Sequence, residues 1–246
     1  MDIACGLRPD ANIGFNTNGV LLNEEVCCRM VDVGLKHLVV SLNMPDKESY
    51  KKFSGKDFFD IIVKNLKILR RVKTEKNSKW PVVILQFLNA PPVLGNENKL
   101  RDDWDELYDN IFFRNIAAPG VSKDKLAELK DKIIDIPVTQ IIRPAAVPCA
   151  SMMVTCGIDW LGYYVPCCRL CMERSFVGKR KYKYMELGHV NDIDVQTAWR
   201  SAGWGRLRAE QIAGLLRVCN DCTSNQVSHA RLQQYADGIL SYCYNK

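Results

Sequence analysis

His37-Leu38-Val39-Val40-Ser41-Leu42 is an almost unbroken apolar run that follows Gly34. A strand with one wet face alternates apolar and polar residues, whereas a run this continuous marks a parallel strand covered on both faces. The flanking segments repeat the theme. Upstream, Asn12-Ile13-Gly14-Phe15-Asn16 reads as a strand ended by a Thr17-Asn18-Gly19 turn. Asn23 then caps a helix, with Glu24 and Glu25 at the positive end of its dipole, Val26, Met30 and Val33 at helical spacing, and Gly34 as its stop. Downstream, a helix from about Asp57 carries Phe58, Ile62, Leu66 and Leu69 on one stripe, with lysines and arginines opposite. Val82 to Leu88 supplies a third strand. Strand, helix, strand, helix, strand in this order requires right-handed crossovers and a parallel sheet, so the fold class is α/β. Ligands of such sheets gather at the carboxyl ends of the strands, which directs attention to Thr17, Asn18, Ser41, Asn43 and Asn89. The plain alternative is that Asn18-Gly19 only makes a turn and Ser41 is a satisfied hydroxyl.

Residues 90–137 are less regular. A loop at Ala90-Pro91-Pro92 is followed by an expected helix from Asp102 to Phe113, a helix capped by Ser122, and an expected fourth strand from Val138 to Ile142. Arg143-Pro144-Ala145-Ala146-Val147-Pro148 is an extended linker, because proline and the residue before it disfavour helix. It divides the chain into 1–143 and 144–246.

The second part is defined by cysteine. Seven of the eleven cysteines lie between Cys149 and Cys222, beside glycine, proline and one another. Cysteine used as a small apolar filler has no reason to cluster in this way, whereas thiolate ligands do. A hairpin of Met152-Met153-Val154 with Gly162-Tyr163-Tyr164-Val165, turned at Ile158 to Gly162, would deliver Cys149 at one end and Cys167-Cys168 at the other. Helices around Val195-Ala198-Trp199 and Trp204-Leu207-Ile212-Leu215 lead to Cys219-Asn220-Asp221-Cys222. A four-thiolate set needs convergent segments, and Cys149, Cys167 or Cys168, Cys219 and Cys222 meet that need. The segment reads as an iron-sulfur site.

Composition agrees with a soluble globular chain: 246 residues, 47% apolar, 25% charged. The net charge of +6 is mild and does not point to nucleic acid. No apolar run approaches the roughly 18 residues of a membrane span, and the residues from Asp2 to Asp10 lack a signal-peptide layout. A cytoplasmic location is expected, where an odd cysteine count favours metal ligation over disulfides.

Residues 14–70 resemble the middle of a radical S-adenosylmethionine barrel. The likeness rests on the strand ending in Thr17-Asn18-Gly19, the Val33-Gly34-Leu35 helix end, Val39-Val40-Ser41-Leu42-Asn43, Ser49-Tyr50-Lys51-Lys52-Phe53, Asp57, and Asn65-Leu66. Residues 149–222 resemble the SPASM or twitch extension of that superfamily. Here the carriers are Cys149, Gly162 ahead of Pro166-Cys167-Cys168, Leu187-Gly188-His189-Val190, Ala198-Trp199-Arg200-Ser201, Arg208, and the final Cys-x-x-Cys. The resemblance implies a partial (β/α) barrel of parallel strands with outer helices, followed by a small cysteine-rich domain. It implies reductive cleavage of S-adenosylmethionine to a 5'-deoxyadenosyl radical that abstracts hydrogen from a peptide or small-molecule substrate. It places Thr17 and Asn18 near the methionine part of the cofactor and Ser41 with Asn43 near its ribose or carboxylate. Asn43 stands where the family often has aspartate. One auxiliary [4Fe-4S] cluster would be held by Cys149, Cys167, Cys219 and Cys222, with Cys168 and Cys171 as alternates.

The main departure from the family is an absence. The Cys-x-x-x-Cys-x-x-Cys loop that holds the radical-initiating cluster is not present; Cys5 alone precedes Thr17, and Cys27 with Cys28 sit on a helix. The expectation is a truncated carboxyl-terminal portion, inactive alone, with a separate chain as one source of the missing part. Three competing readings are weaker. A zinc site built from Cys168-x-x-Cys171 and Cys219-x-x-Cys222 would separate its knuckles by 47 residues and leave Cys149 and Cys167 idle. Lys179 to Tyr184 interleaves basic and aromatic residues, as nucleic-acid binders do, but short charge runs are usually solvated loops. A non-catalytic, partner-binding relative is the third. His189 is read as structural, and neither Asp159 nor Asp221 as a catalytic base.

Overall fold

The structure, a computed structural model, describes residues 1–7, 10–114, 149–167 and 187–216. They form two compact units, one within residues 1–114 and one within 149–216.

The first unit contains helix α1 (Asp2–Leu7), strand β1 (Gly14–Thr17), α2 (Glu24–Asp32), β2 (His37–Asn43), α3 (Lys47–Ser54), α4 (Phe59–Glu75), β3 (Val82–Leu88), α5 (Glu97–Asp103) and β4 (Asn110–Arg114). The four strands form one sheet in the order β1-β2-β3-β4, every pair parallel. Each parallel pair is joined by the helical crossover that parallel pairing requires. The chain thus has the expected α/β architecture, a parallel sheet with helices between its strands. Along β2, residues 38, 40 and 42 are buried and 37, 39, 41 and 43 are half-exposed. Leu38, Val40 and Leu42 join Val83, Leu85 and Phe87 of β3, Met30 of α2, and Ile62, Leu66 and Leu69 of α4 in one core. The apolar run of β2 is therefore buried on one face only among the described residues, not on both.

Local chemistry fixes the helix ends as expected at α2. Asn23 Oδ1 accepts from Val26 N–H at 2.9 Å, and Leu35 N–H bonds back to Met30 at 3.1 Å across Gly34. Helix α3 is an addition to the elements expected from sequence. Asp46 caps it, accepting from Ser49 N–H at 2.9 Å, and Gly55 ends it.

The expectation of a helix from Asp102 to Phe113 is corrected. The chain leaves α5 at Trp104, makes a 3₁₀ turn at Asp105–Leu107, and enters β4. Trp104, Leu107 and Ile111 fit a helical stripe, but Asn110-Ile111-Phe112-Phe113 completes the sheet, burying Ile111 beside Leu85. Tertiary pairing overrides the local period. Asp109 secures this change of direction. Its N–H donates to Val83 O at 2.8 Å, and its carboxylate accepts from Val83 N–H at 2.7 Å, Lys73 at 2.5 Å and Arg70 at 3.0 Å. The expected strand at Val138–Ile142 and the boundary near Pro144 lie outside the described residues.

The second unit holds α6 (Ala150–Val154), the antiparallel pair β5 (Gly157–Ile158) and β6 (Tyr164–Val165), α7 (Val195–Arg200) and α8 (Ala202–Ile212). The hairpin turns at Asp159 to Gly162 as expected, but Met152-Met153-Val154 is not its first arm. Those residues are helical, Met153 N–H bonding to Cys149 O at 3.2 Å, and Met152 is driven into the core with 1% of its surface exposed. Three apolar residues in a row satisfy either period, so burial of Met152 in the same core as Trp204 and Leu207 of α8 decides. Met152, Tyr164, Val165, Leu187, Ala198, Trp204, Leu207 and Leu216 form this unit's core. Ile212 and Leu215, expected on its apolar face, are largely exposed.

Candidate cofactor and metal sites

Parallel strands place all their carboxyl ends at one edge, so Thr17-Asn18, Ser41-Asn43, Asn89 and Arg114 share it. The Thr17–Gly19 turn is held locally and from below. Thr17 Oγ1 accepts from Gly19 N–H and Asn18 Oδ1 from Val20 N–H, each at 3.1 Å. The buried Asn65 of α4 donates through Nδ2 to Gly19 O at 2.9 Å and Val20 O at 3.0 Å. Gly19 has φ of +82°, and a Cβ there would lie 2.9 Å from Ile62 Cγ2, so the turn needs glycine. Both turn side chains thus perform the plain role of bracing the backbone. The Thr17 O–H and the Asn18 amide N–H groups are left for a ligand by these bonds.

Ser41 lies opposite Gln86, on the face away from the core, and the register slips between Ser41 and Asn43. Asn43 takes φ of +68°, a conformation asparagine tolerates better than most residues other than glycine. The slip re-aims the chain at the strand's end, a common use of a bulge beside a binding site.

Two residues at this edge escaped the reading of the sequence. Gln86 is 8% exposed on the same face as Ser41, and Arg114 Nη1 donates to its Oε1 at 3.2 Å. The signal was available: glutamine interrupts the apolar run Val82 to Leu88, and a polar side chain on an interior strand position needs a partner. That partner stands on a segment whose local period is helical, so its place beside Gln86 was not foreseeable.

In the second unit, the hairpin turn is built by Asp159, whose carboxylate accepts from Leu161 N–H at 2.9 Å and Tyr163 N–H at 3.0 Å. Gly162 has φ of +86°. The segment 187–189 returns beside β6, with Tyr164 N–H bonding to Gly188 O at 2.9 Å and Leu187 N–H to Tyr164 O at 3.0 Å. His189 Nδ1 accepts from Asn191 N–H at 3.1 Å, and Nε2, 2.9 Å from Leu161 O, is the donor to it. Both ring nitrogens are committed, which makes His189 a structural residue.

This scaffold brings Cys149 and Cys167 to one core. Both are half-buried and pack against it, as does Cys156, which the spacing of the motif does not single out. Burial pushes the Cys156 thiol up, and its Sγ lies 3.8 Å from Gly157 O. Among the described residues no three histidine, cysteine or acidic side chains converge on a point. Cys168, Cys171, Cys219 and Cys222 lie outside the described residues, so the full ligand set is not in view.

One further feature bears on what the site accepts. Trp204, Leu207, Arg208 and Gln211 form a stripe on α8 that faces the start of α6. Gln211 Oε1 accepts from Cys149 N–H at 2.9 Å, and Arg208 Nε is 3.5 Å from Met152 O. The Arg208 guanidinium stacks on Trp199 at 4.0 Å and lies 5.5 Å from the Trp204 ring centroid. Burial lowers its tendency to hold the proton. Trp204 Nε1 and Arg208 Nη2 are buried donors with no acceptor among the described residues. An iron-sulfur cluster, with sulfide and thiolate acceptors, fits such donors on a helix face that is bonded to the turn at residues 149–152.

An α/β sheet with a polar carboxyl edge, joined in sequence to a cysteine-bearing unit, defines the class of protein. Residues 1–86 match the family model of the radical SAM superfamily, and residues 149–223 match that of SPASM, an iron-sulfur cluster-binding domain. The chain is a radical SAM/SPASM family protein. Over 92 residues it is 43% identical to the uncharacterized protein MJ0804 of Methanocaldococcus jannaschii. That match covers 37% of this chain and 28% of the relative, so the chain spans less than a third of the curated relative it matches. No described helix is long and apolar enough to cross a membrane.

Proposed function

We propose that the chain holds one auxiliary [4Fe-4S] cluster on Cys149, Cys167, Cys219 and Cys222 and forms part of an S-adenosylmethionine site at the strand ends. It would serve a radical modification of a peptide or small-molecule substrate. The observation that supports the reading is the packing of Cys149 and Cys167, from either side of the Gly162 hairpin, against one small core within the SPASM match. A radical-initiating cluster with S-adenosylmethionine would supply the one-electron chemistry that ends in hydrogen abstraction, and the cluster held here would be auxiliary to it. The chain's own residues hold and orient. Thr17, Asn18, Ser41 and Asn43 offer hydroxyl and amide groups at one sheet edge, and Gln86 with Arg114 adds a cation there. No Cys-x-x-x-Cys-x-x-Cys occurs in residues 1–246, so the ligands of the radical-initiating cluster come from outside them, a separate chain being one source.

Anaerobic reconstitution with iron and sulfide, read beside zinc content as isolated, tests the reading. About four iron and four sulfide per chain are expected, falling sharply in a Cys149→Ala, Cys167→Ala double variant. Stoichiometric zinc with no stable iron, or full iron in the double variant, would refute it.

A further inference from the structure

The two buried donors without acceptors lie on one short piece of structure. Trp204 and Arg208 are four residues apart on α8, and Gln211 follows three residues later, so all three share a face. Gln211 binds the backbone N–H of Cys149, and Arg208 Nε the carbonyl of Met152, three residues on. The face is therefore applied to the turn that carries Cys149. Trp204 is fully buried, and an indole N–H in that position ordinarily finds a partner. The guanidinium is held against the Trp199 ring, yet Nη2 is buried and unbonded among the described residues. Leaving two such donors unsatisfied would be destabilising, so a protein keeps them for an acceptor. The resident group that the site calls for on the Cys149 side is the cluster, whose sulfurs accept hydrogen bonds and carry negative charge.

We infer that Arg208 Nη2 and Trp204 Nε1 donate hydrogen bonds to the sulfur atoms of the auxiliary cluster and raise its reduction potential. This rests on the cluster assignment above. The sign follows from electrostatics. One-electron reduction adds negative charge to the cluster, and a fixed N–H donor or guanidinium charge stabilises the reduced form more than the oxidised form. Both are positioning residues: they bind no iron, and they act on how readily the cluster accepts an electron.

The test is a potentiometric titration of the reconstituted protein, followed by electron paramagnetic resonance, in wild type, Trp204→Phe and Arg208→Lys. The phenyl ring keeps much of the packing and removes the N–H; the ammonium keeps the charge and removes the fork. Each variant is expected to need a lower potential for half reduction, with about a tenfold shift in the reduced-to-oxidised ratio at fixed potential in at least one, equivalent to about 59 mV for one electron. A purely structural role predicts lower thermal stability with unchanged potential, and that result overturns the inference. A second readout avoids dependence on variant loading. Iron-sulfur stretching bands of the wild-type cluster should shift on transfer to deuterated water, and bands that do not move overturn it equally. A wild-type chain that loads zinc and no cluster instead defeats the underlying assignment, so the two failures are distinct.

Discussion

At Gly162 a Cβ would lie 2.6 Å from His189 Nε2, and the residue's φ is +86°. Both space and backbone therefore exclude a side chain, and the clash would fall on the ring that closes the hairpin onto Leu161. Gly162→Ala should lower the stability of the second unit by roughly 1–3 kcal/mol from the left-handed backbone alone, with a further contribution from displacing His189. Thermal unfolding checks this, and an unchanged midpoint would contradict it. Within the first unit, Cys27 and its neighbour Cys28 differ in accessibility. Cys27 is fully buried, and burial first, then Cys28 and Glu24, push its thiol up to about 11. At pH 8 only on the order of one Cys27 in a thousand would be a thiolate. Alkylation of the native chain at pH 8 should thus label Cys28, which is half-exposed, well before Cys27. Peptide mass spectrometry gives the order, and prior labelling of Cys27 would show that α2 is less well packed than described.

Among the elements, the entry to β4 depends on one carboxylate. Burial would raise the Asp109 carboxyl, but hydrogen bonds from Lys73, Val83 N–H and Arg70 outweigh it and hold it below the ordinary range. Lys73 is 5% exposed and is shared between Asp109 and Pro81 O at 2.8 Å. Asp109→Asn should destabilise the first unit by roughly 3 kcal/mol, the low end for breaking a buried pair, because Asp109 itself keeps some solvent contact. The pH dependence has a defined sign. A depressed native carboxyl contributes fully above the unfolded value of about 4 and loses that contribution as pH falls through its native value. The variant should therefore lose less stability than wild type below about pH 4. Equal acid sensitivity in denaturant titrations would show that Asp109 is not the group concerned. Strand β4 and helix α6 share a lesson at this scale. In each, a short apolar stretch fits two periods, and in each a single buried residue, Ile111 or Met152, settles the matter through its neighbours.

For the whole molecule, β1 is an outer strand of the described sheet, with Phe15 37% exposed on it. An outer strand with an exposed aromatic invites pairing with a second copy. Concentration-dependent self-association is expected in light scattering, and Phe15→Lys should reduce it; a wild-type chain that stays monomeric at high concentration would contradict the expectation. Much of this architecture was legible in sequence. Three strands, the α2 and α4 helices, the Asn23 cap, the parallel pairing and the hairpin turn all follow from residues within a few positions of one another, where periodicity and turn chemistry act directly. The cysteine spacing around Gly162 likewise marked, without any structure, the segment that matches the SPASM family model. What sequence left open involves distant partners. Gln86 meets Arg114 across the sheet, Asp109 gathers two cations of α4 and the backbone of β3, and in the second unit Arg208 reaches back to the Cys149 turn. Such contacts depend on which segments the fold brings together, and no local pattern encodes that. The sequence determined the α/β class and where its cysteines cluster; tertiary packing decided where β4 runs, that α6 is helical, and that the α8 face with Trp204 and Arg208 is bonded to the turn at residues 149–152.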